Sequence, residues 1–198
     1  MPFNINGKYT DKHLLHYVPH GIDDTVFKPL TADTQALKNK KKQLFGEKEY
    51  DFVLFYNSRN VQRKKTSNVL LAYRAFCDNL PPEKAKKCVL VLHTERIQDA
   101  GTDLPAVIEA LCPNYDVVFS EAKVSPEDMV YMYNIADATI LISSNEGFGL
   151  SIAESIMCGT PVIVNVTGGL QDQIGQVDDT GKPVEFTKEF STNSTGKY

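Results

Sequence analysis

The chain has 198 residues, which is enough for one domain but too few for two full-sized ones. Hydrophobic residues make up 42% of it and charged residues 23%, as in soluble globular proteins that bury a core without disulfides or metals. The formal net charge is −4, and this mildly acidic balance argues against a nucleic acid or an anionic membrane as the partner.

Cysteine spacing and hydropathy exclude further classes. None of the four cysteines lies within three residues of another, so the spacing predicts neither a metal knuckle nor a redox pair. We expect buried, reduced thiols in a cytoplasmic protein. No apolar run reaches the roughly 20 residues of a membrane span, and the N-terminal residues lack the apolar core of a signal peptide. We therefore expect no membrane span.

The first 50 residues carry few signals of regular structure. Residues 1–14 are polar and turn-rich, which predicts a loose leader, and residues 16–18 are candidates for a short strand. The basic run at residues 38–42 lies in a helical stretch, where it favours a solvated helix face. We assign residues 15–185 to a single domain and residues 186–198 to a polar, mobile tail.

From residue 51 onward, short apolar runs predict strands that are covered on both faces. These runs are residues 52–56, 89–92, 117–119, 139–142 and 162–164. The first helix between them carries one apolar stripe and is stopped by Pro81-Pro82. The stripe consists of Val69, Leu70, Tyr73, Phe76 and Leu80.

Three further helices are predicted between and after these strands. One contains residues 106–111, and one has Ser125 as its N-cap and Pro126 at its first position. The last runs from about residue 148 to residue 157. Strands that alternate with helices predict an α/β fold with a Rossmann-like, doubly wound parallel sheet. Ligands of such sheets bind beyond the carboxyl ends of the strands, which directs attention to the loops there.

The loop after the fourth of these strands contains the most informative stretch, Glu146-Gly147-Phe148-Gly149-Leu150, with Glu154 inside the following helix. Glycines permit close approach of the backbone to a ligand, and the amides of a helix N-terminus favour an anion such as a diphosphate. Two carboxylates can accept hydrogen bonds from the hydroxyls of two different sugars. The alternative is an ordinary glycine-containing turn with two solvated glutamates.

A basic loop, residues 57–65, follows the first of these strands. Arg59 lies close to the strand end, and Lys64 and Lys65 are expected to begin the next helix. Cations at a helix N-terminus oppose the helix dipole, and an anion bound between them would explain their position. A plain basic loop is the alternative. Both loops follow strands of one sheet at the same edge, so they can face one ligand.

These residues resemble family 4 of the retaining glycosyltransferases, which have the GT-B fold of two Rossmann-like domains facing across a cleft. The resemblance rests on Arg59 and Lys64, on Glu146 to Leu150 with Glu154, and on three flanking stretches. Those stretches are Val18 to Asp23, Tyr133-Asn134-Ile135-Ala136-Asp137 and Cys158-Gly159-Thr160-Pro161-Val162-Ile163. It covers about residues 15–185 and identifies the chain as one half of a GT-B fold, the C-terminal domain that binds a nucleotide-diphosphate sugar.

The resemblance implies a role for each matching residue. Arg59 and Lys64 should hold the donor diphosphate, Glu146 should bind the transferred sugar, and Glu154 should accept from the ribose hydroxyls. Arg59, Lys64 and Glu146 are thus the expected catalytic residues. Backbone near Val124 should meet the base. Amides along the sugar and phosphates should come from Gly147, Phe148, Gly149 and Leu150. The role of Gly168-Gly169 stays open between a ligand contact and a flexible turn.

No cofactor and no metal is expected, because there is no Asp-x-Asp motif and protein cations replace the metal in this fold. His20 is expected either to line the interdomain cleft or to be structural, and His93 either to approach the donor or to cap its strand. The family's N-terminal acceptor domain and closing helices have no counterpart, so we expect a truncated hexosyltransferase domain with little or no activity alone.

Two other functions compete with donor binding by a catalytic domain. One is a non-catalytic nucleotide-sugar binding module, which would not need the sugar-facing Glu146. The other is a dinucleotide-dependent Rossmann enzyme, but the chain lacks Gly-x-Gly-x-x-Gly after its first core strand. The loop from Arg59 to Lys65 favours GDP-mannose over UDP-linked sugars as the donor, whereas the acceptor is left undetermined.

Overall fold

The computed structural model describes residues 4–5, 8–9, 20–31, 34–120 and 123–174. The candidate strand at residues 16–18 and the tail from residue 186 lie outside the described residues. Within the expected leader, β1 (Asn4–Ile5) pairs antiparallel with β2 (Lys8–Tyr9). The other strands and the helices that the described ranges contain lie between residues 35 and 174.

Five parallel strands form the sheet, in the order β5-β4-β3-β6-β7. They are β3 (Phe52–Asn57), β4 (Cys88–His93), β5 (Asp116–Phe119), β6 (Ala138–Leu141) and β7 (Val162–Val164). The predicted Rossmann-like, doubly wound sheet is therefore confirmed. The central strands are continuous apolar runs because helices cover both faces. Val53 and Phe55 of β3 pack on one face, and Leu54 and Tyr56 pack on the other.

Seven helices accompany the sheet in the described part of the chain. They are α1 (Gln35–Phe45), α2 (Thr66–Asp78), α3 (Pro82–Ala85), α4 (Leu104–Leu111), α5 (Pro126–Ile135), α6 (Leu150–Met157) and α7 (Leu170–Ile174). Helices α2 and α4 pack together on one side, and α1 and α5 pack together on the other. The predicted cap of α5 is confirmed, because Ser125 Oγ accepts from the Asp128 amide at 3.1 Å.

Two details of the predicted elements are wrong. Helix α6 begins at Leu150 instead of residue 148, because Gly149 adopts a left-handed φ of 89° that no helix contains. Helix α2 ends at Asp78, ahead of the prolines. Phe76 of its predicted buried stripe is 40% exposed, although its ring lies 5.2 Å from that of Phe52.

The cysteines confirm the expectation of free, buried thiols. Cys77, Cys88, Cys112 and Cys158 are all buried and unbridged. Burial raises the pKa of the Cys77 and Cys158 thiols to about 11, so they stay protonated at neutral pH. None of the helices in the described ranges has the length and apolar content needed to cross a bilayer.

Neighbouring leucines of α2 offer a test of the packing. Leu70 is fully buried and Leu71 is 51% exposed, so the same truncation in the same helix differs only in burial. We expect Leu70→Ala to lower the free energy of unfolding by about 2–5 kcal/mol, through lost apolar burial and a cavity. Leu71→Ala should change it by about 0.5 kcal/mol or less. Chemical denaturation measures both, and equal losses would contradict this packing.

Candidate functional site

The sheet reverses its winding direction between β3 and β6. The chain proceeds from β3 to β4 and β5 on one side, and then crosses to β6 and β7 on the other. The loops that follow β3 and β6 therefore diverge, and the crevice between them is the usual ligand position of such sheets. A cavity of about 600 Å³ lies there. Its lining consists of His20, Asn57, Ser58, Arg59, Arg63, Lys64, His93, Thr94, Glu95, Ser120, Lys123, Glu146, Phe148, Gly149, Leu150, Ser151 and Glu154.

The cavity brings together all of the predicted site residues except Gly147 and Val124. Arg59 and Lys64 come from the loop after β3, and Glu146 comes from the loop after β6. Val124 is partly buried against the core cluster around Met129, and its neighbour Lys123 lines the cavity in its place. Gly147 lies between lining residues without being one.

A buried ion pair joins the two loops. Lys64 Nζ donates to Glu146 Oε1, and the two side chains are only 11% and 6% exposed. Arg63 Nη1 lies 3.4 Å from Glu146 Oε2 and also donates to the Asn145 carbonyl at 2.9 Å. Arg63 is thus a cation of the site that was not predicted from the sequence. A carboxylate and two basic side chains thus meet in the lining of the cavity.

The local backbone explains where Lys64 lies. Gln62–Lys64 form a short 3-10 turn, and Lys65 follows it in the left-handed conformation with φ 55°. The expectation that Lys64 and Lys65 begin the helix is therefore wrong, since α2 starts at Thr66. The turn directs Lys64 to the cavity, whereas Lys65 is exposed and does not line it.

The charge of Glu146 is set by opposing effects. Burial raises the pKa of its carboxyl, but the hydrogen bond from Lys64 and the charges of Lys64 and Arg63 outweigh burial, so the pKa lies below its ordinary value of 4.5. Glu146 is therefore an anion at neutral pH. An ionised carboxylate accepts hydrogen bonds strongly, which suits it to bind hydroxyl groups.

Asn60 holds the basic loop in place. Its side chain is buried, and Nδ2 donates to the Thr102 carbonyl at 2.6 Å while Oδ1 accepts from the Thr102 amide at 3.1 Å. The Asn60 amide also donates to Glu95 Oε2 at 3.2 Å. Arg59, next to Asn60, is exposed at the cavity. The pKa of Glu95 is lowered mainly by backbone hydrogen bonds, and the positive charge of Arg59 lowers it further.

The start of α6 adds an electropositive helix end to the crevice. Leu150 and Ser151, the first two residues of the helix, line the cavity. The amides and dipole of a helix N-terminus favour negative charge. Gly149 is required just before it, because its φ is 89° and a Cβ there would lie 2.5 Å from Leu170 Cδ2.

Gly168 and Gly169 pack closely against the backbone of the Glu146 loop. A Cβ on Gly168 would lie 1.9 Å from the Glu146 carbonyl oxygen, and one on Gly169 would lie 2.3 Å from that of Gly147. The Gly169 amide donates to the Glu146 carbonyl at 3.1 Å. Of the two roles left open for this pair, the contacts therefore favour neither a flexible turn nor a direct ligand contact. They indicate a packed brace.

A second carboxylate, Glu154, lies on α6 at another part of the lining. Tyr133 Oη donates to Glu154 Oε2 at 2.6 Å, and Asn57 Nδ2 donates to Tyr133 Oη at 2.9 Å. Burial raises the pKa of Glu154 above 4.5, although the Tyr133 hydrogen bond lowers it. Sequence reasoning missed this connection, because its members are separated by 76 and 21 residues along the chain.

Two histidines complete the lining. The His20 ring lies 5.1 Å from the Phe148 ring, which places the segment before α1 against the Glu146 loop. His93 Nδ1 lies 3.2 Å from Ser120 Oγ, and burial lowers the pKa of its imidazole below 6.5. His93 is therefore neutral at pH 7. In the described residues, no group of three or more His, Cys, Asp or Glu side chains is arranged to hold a metal ion.

Fold and cavity define a doubly wound α/β domain with a cavity at its switch point that is lined by charged side chains. The chain belongs to the glycosyl transferases group 1 family, whose model matches residues 37–188. It is 28% identical over 189 residues to a D-inositol 3-phosphate glycosyltransferase of Salinispora arenicola. That alignment covers 91% of this chain but only 42% of the relative, so the chain spans about two fifths of the relative's length.

Solved structures share the fold. The C-terminal domain of a group 1 glycosyl transferase, LpcC from Francisella tularensis, superposes with a TM-score of 0.62 at 22% identity, covering 80% of this chain and 76% of that one. Anabaena HepE, solved with UDP and glucose, superposes with a TM-score of 0.59 at 23% identity, covering 77% of this chain and 38% of that one. The domain is therefore one half of a GT-B fold.

The brace under the Glu146 loop can be tested with paired glycines. We expect Gly168→Ala to lower the free energy of unfolding by about 1–3 kcal/mol, because the methyl group overlaps the Glu146 carbonyl. Gly147→Ala is the matched control, since no atom lies within 4 Å of a Cβ there, and it should cost about 0.5 kcal/mol or less. Thermal unfolding followed by circular dichroism compares them. A Gly168→Ala variant as stable as the wild type would contradict a packed brace.

Proposed function

We propose that this domain binds a nucleotide-diphosphate sugar as the donor for a retaining glycosyl transfer. The observation that carries the proposal is the convergence, in one cavity, of two carboxylates with cations and a helix N-terminus. Lys64, Arg59 and the start of α6 supply positive charge for a diphosphate, whereas Glu146 and Glu154 supply acceptors for sugar hydroxyls. The cationic groups thus complement the diphosphate of such a donor, and the carboxylates complement its sugars.

Each residue then has a distinct task. Arg59 and Lys64 bind the diphosphate, and amides from Gly147 to Leu150 lie along the sugar and phosphates. Glu146 binds the hydroxyls of the transferred sugar, and Glu154 accepts from the ribose. Backbone near Val124 meets the base. Arg63 supports Glu146 from the outer side, since it contacts Oε2 while Lys64 contacts Oε1.

The chemistry is stabilisation of a leaving group. When the bond between the anomeric carbon and the diphosphate oxygen breaks, its electron pair stays on the diphosphate, whose negative charge grows. Cations and helix amides that are already in place stabilise that charge without reorganisation, which is commonly the largest catalytic contribution. The acceptor oxygen attacks from the leaving-group face, so the configuration is retained, and Glu146 acts in binding and not as a nucleophile. No metal takes part.

The donor and the acceptor belong to the same proposal. GDP-mannose is our preferred donor because of the loop from Arg59 to Lys65. The competing donor is a UDP-linked glucose, since HepE was solved with UDP and glucose. The acceptor is held by an N-terminal domain that faces this one across the cleft. The retained Lys64–Glu146 contact favours a catalytic domain over a non-catalytic binding module, which has no need of a sugar-facing carboxylate.

Calorimetric titration of the chain with GDP, UDP, ADP and their mannose and glucose conjugates tests donor binding. We expect one nucleotide class to bind, and Lys64→Met to weaken it about tenfold or more, because hydrogen bonds to charged groups contribute about 1.5–3 kcal/mol. Arg59→Ala and Glu154→Ala should also weaken it. Lys65→Met removes the same charge from the next residue, outside the cavity, and should leave the affinity within about twofold. Absence of binding by all of these ligands would contradict the proposal.

Transfer is a separate prediction. Because the acceptor is held by the facing domain, we expect the 198-residue chain alone to bind donor but to transfer sugar slowly or not at all. The measurement is release of nucleoside diphosphate from the bound donor, with and without simple sugar acceptors. Fast transfer by this chain alone would refute the requirement for a second domain and leave donor binding intact.

A further inference from the structure

Tyr133 is a fully buried side chain of α5 whose hydroxyl reaches the wall of the cavity. Its ring is fixed by edge-on packing against Phe55, at 5.4 Å, and Phe27, at 6.3 Å. Its backbone carbonyl accepts from Thr160 Oγ1 at 2.7 Å. Ring and backbone are thus both held by the core. The position of the hydroxyl is therefore determined by the fold and does not depend on a ligand.

The hydrogen bonds around this hydroxyl have one consistent direction. Asn57 Nδ2 lies 2.9 Å from Tyr133 Oη and 3.6 Å from Met129 Sδ. A thioether sulfur has no proton to donate, so the nitrogen of the Asn57 amide belongs on this side. Tyr133 Oη accepts from Asn57, and its single proton is left for Glu154 Oε2 at 2.6 Å. Burial raises the pKa of Tyr133 well above 10, so the hydroxyl keeps that proton.

This arrangement leaves the other oxygen of Glu154 available. In the part of the chain that the structure describes, Oε2 is held by Tyr133 and no hydrogen bond occupies Oε1. Glu154 lines the cavity, at a wall formed also by Asn57 of β3. A glutamate side chain has several rotatable bonds, and fixing it beforehand reduces the entropy lost when a ligand binds.

We propose that Tyr133 is a positioning residue for nucleotide recognition: it fixes the Glu154 carboxylate so that Oε1 accepts from a ribose hydroxyl. The inference rests on the proposed donor binding and extends it to a residue that touches no ligand. Asn57 completes this chain of hydrogen bonds, because it donates to the Tyr133 hydroxyl and so fixes the direction in which that hydroxyl donates. The ribose preference of the site is therefore built into the contact between β3, α5 and α6.

Tyr133→Phe is the informative variant, because it removes the hydroxyl and keeps the ring between Phe27 and Phe55. We expect the affinity for GDP or UDP, whichever the wild type binds, to fall about tenfold, as for the loss of one hydrogen bond to a charged group. Inorganic diphosphate reaches only the cationic part of the site, so its affinity for Tyr133→Phe should lie within about twofold of its affinity for the wild type. Tyr131→Phe is the matched control, since Tyr131 lies on the same helix, is partly buried and does not line the cavity.

Ribose selectivity separates positioning from a general structural effect. The wild type should prefer the ribonucleoside diphosphate over its 2′,3′-dideoxy form by about tenfold, and Tyr133→Phe should reduce this ratio to about threefold or less. In a Glu154→Gln background, Tyr133→Phe should add no further loss, because the two act through one contact. Calorimetry gives each affinity.

Four results would overturn the inference. An unchanged selectivity ratio in Tyr133→Phe would show that Glu154 needs no positioning. Equal losses for inorganic diphosphate and nucleotide would show that the hydroxyl supports the whole fold. Failure of the wild type to bind any nucleotide would refute the proposed function and this inference together. If Glu154→Ala weakens nucleotide binding but Tyr133→Phe does not, only the inference is refuted.

Discussion

The site depends on the buried ion pair between Lys64 and Glu146, which joins the loops on either side of the switch point. Withdrawing two charges from water costs several kcal/mol each, and apolar residues of similar size often stabilise a protein as well or better. The pair is therefore poorly explained as a device for stability alone. It holds a cation and an anion side by side, already desolvated, at the place where the sheet opens. Such an arrangement suits the diphosphate and the sugar of the proposed donor.

The surrounding contacts keep these two charged groups in register. Gly168 and Gly169 press against the carbonyls of the Glu146 loop so closely that no side chain fits between them. Asn60 ties the Lys64 loop to the segment after β4, and Gly101 permits that contact, because a Cβ there would lie 2.1 Å from the Asn60 carbonyl. Both loops are thus fixed from outside the cavity. Preorganised charges of this kind require little rearrangement when a ligand arrives.

The sequence predicted those features that depend on local pattern. The five core strands and the Ser125 cap are encoded in short runs of residues, and the position of the ligand loops beyond the carboxyl ends of the strands follows from the alternation of strands and helices. It did not reveal Asn60, Tyr133 or Arg63, because their roles arise from contacts between distant segments. The start of α6 was also misplaced, because the left-handed conformation of Gly149 delays the helix to Leu150 and cannot be deduced from helical periodicity. Patterns specify elements, whereas close approaches between loops follow from tertiary structure.

The two glutamates of the motif have different environments, and the difference favours one orientation of the proposed donor. Lys64 and Arg63 surround Glu146 and lower its pKa, whereas Glu154 meets a neutral phenol and a buried environment that raises its pKa. A diphosphate is attracted to the cations, and it is repelled less by a carboxylate already neutralised by Lys64 than by Glu154, which has no cationic partner among the described residues. For the proposed donor, this difference favours a position of the phosphates at the Glu146 end, between the basic loop and α6. It favours a position of the neutral ribose hydroxyls at Glu154, whose carboxylate is held by the hydrogen bond from Tyr133.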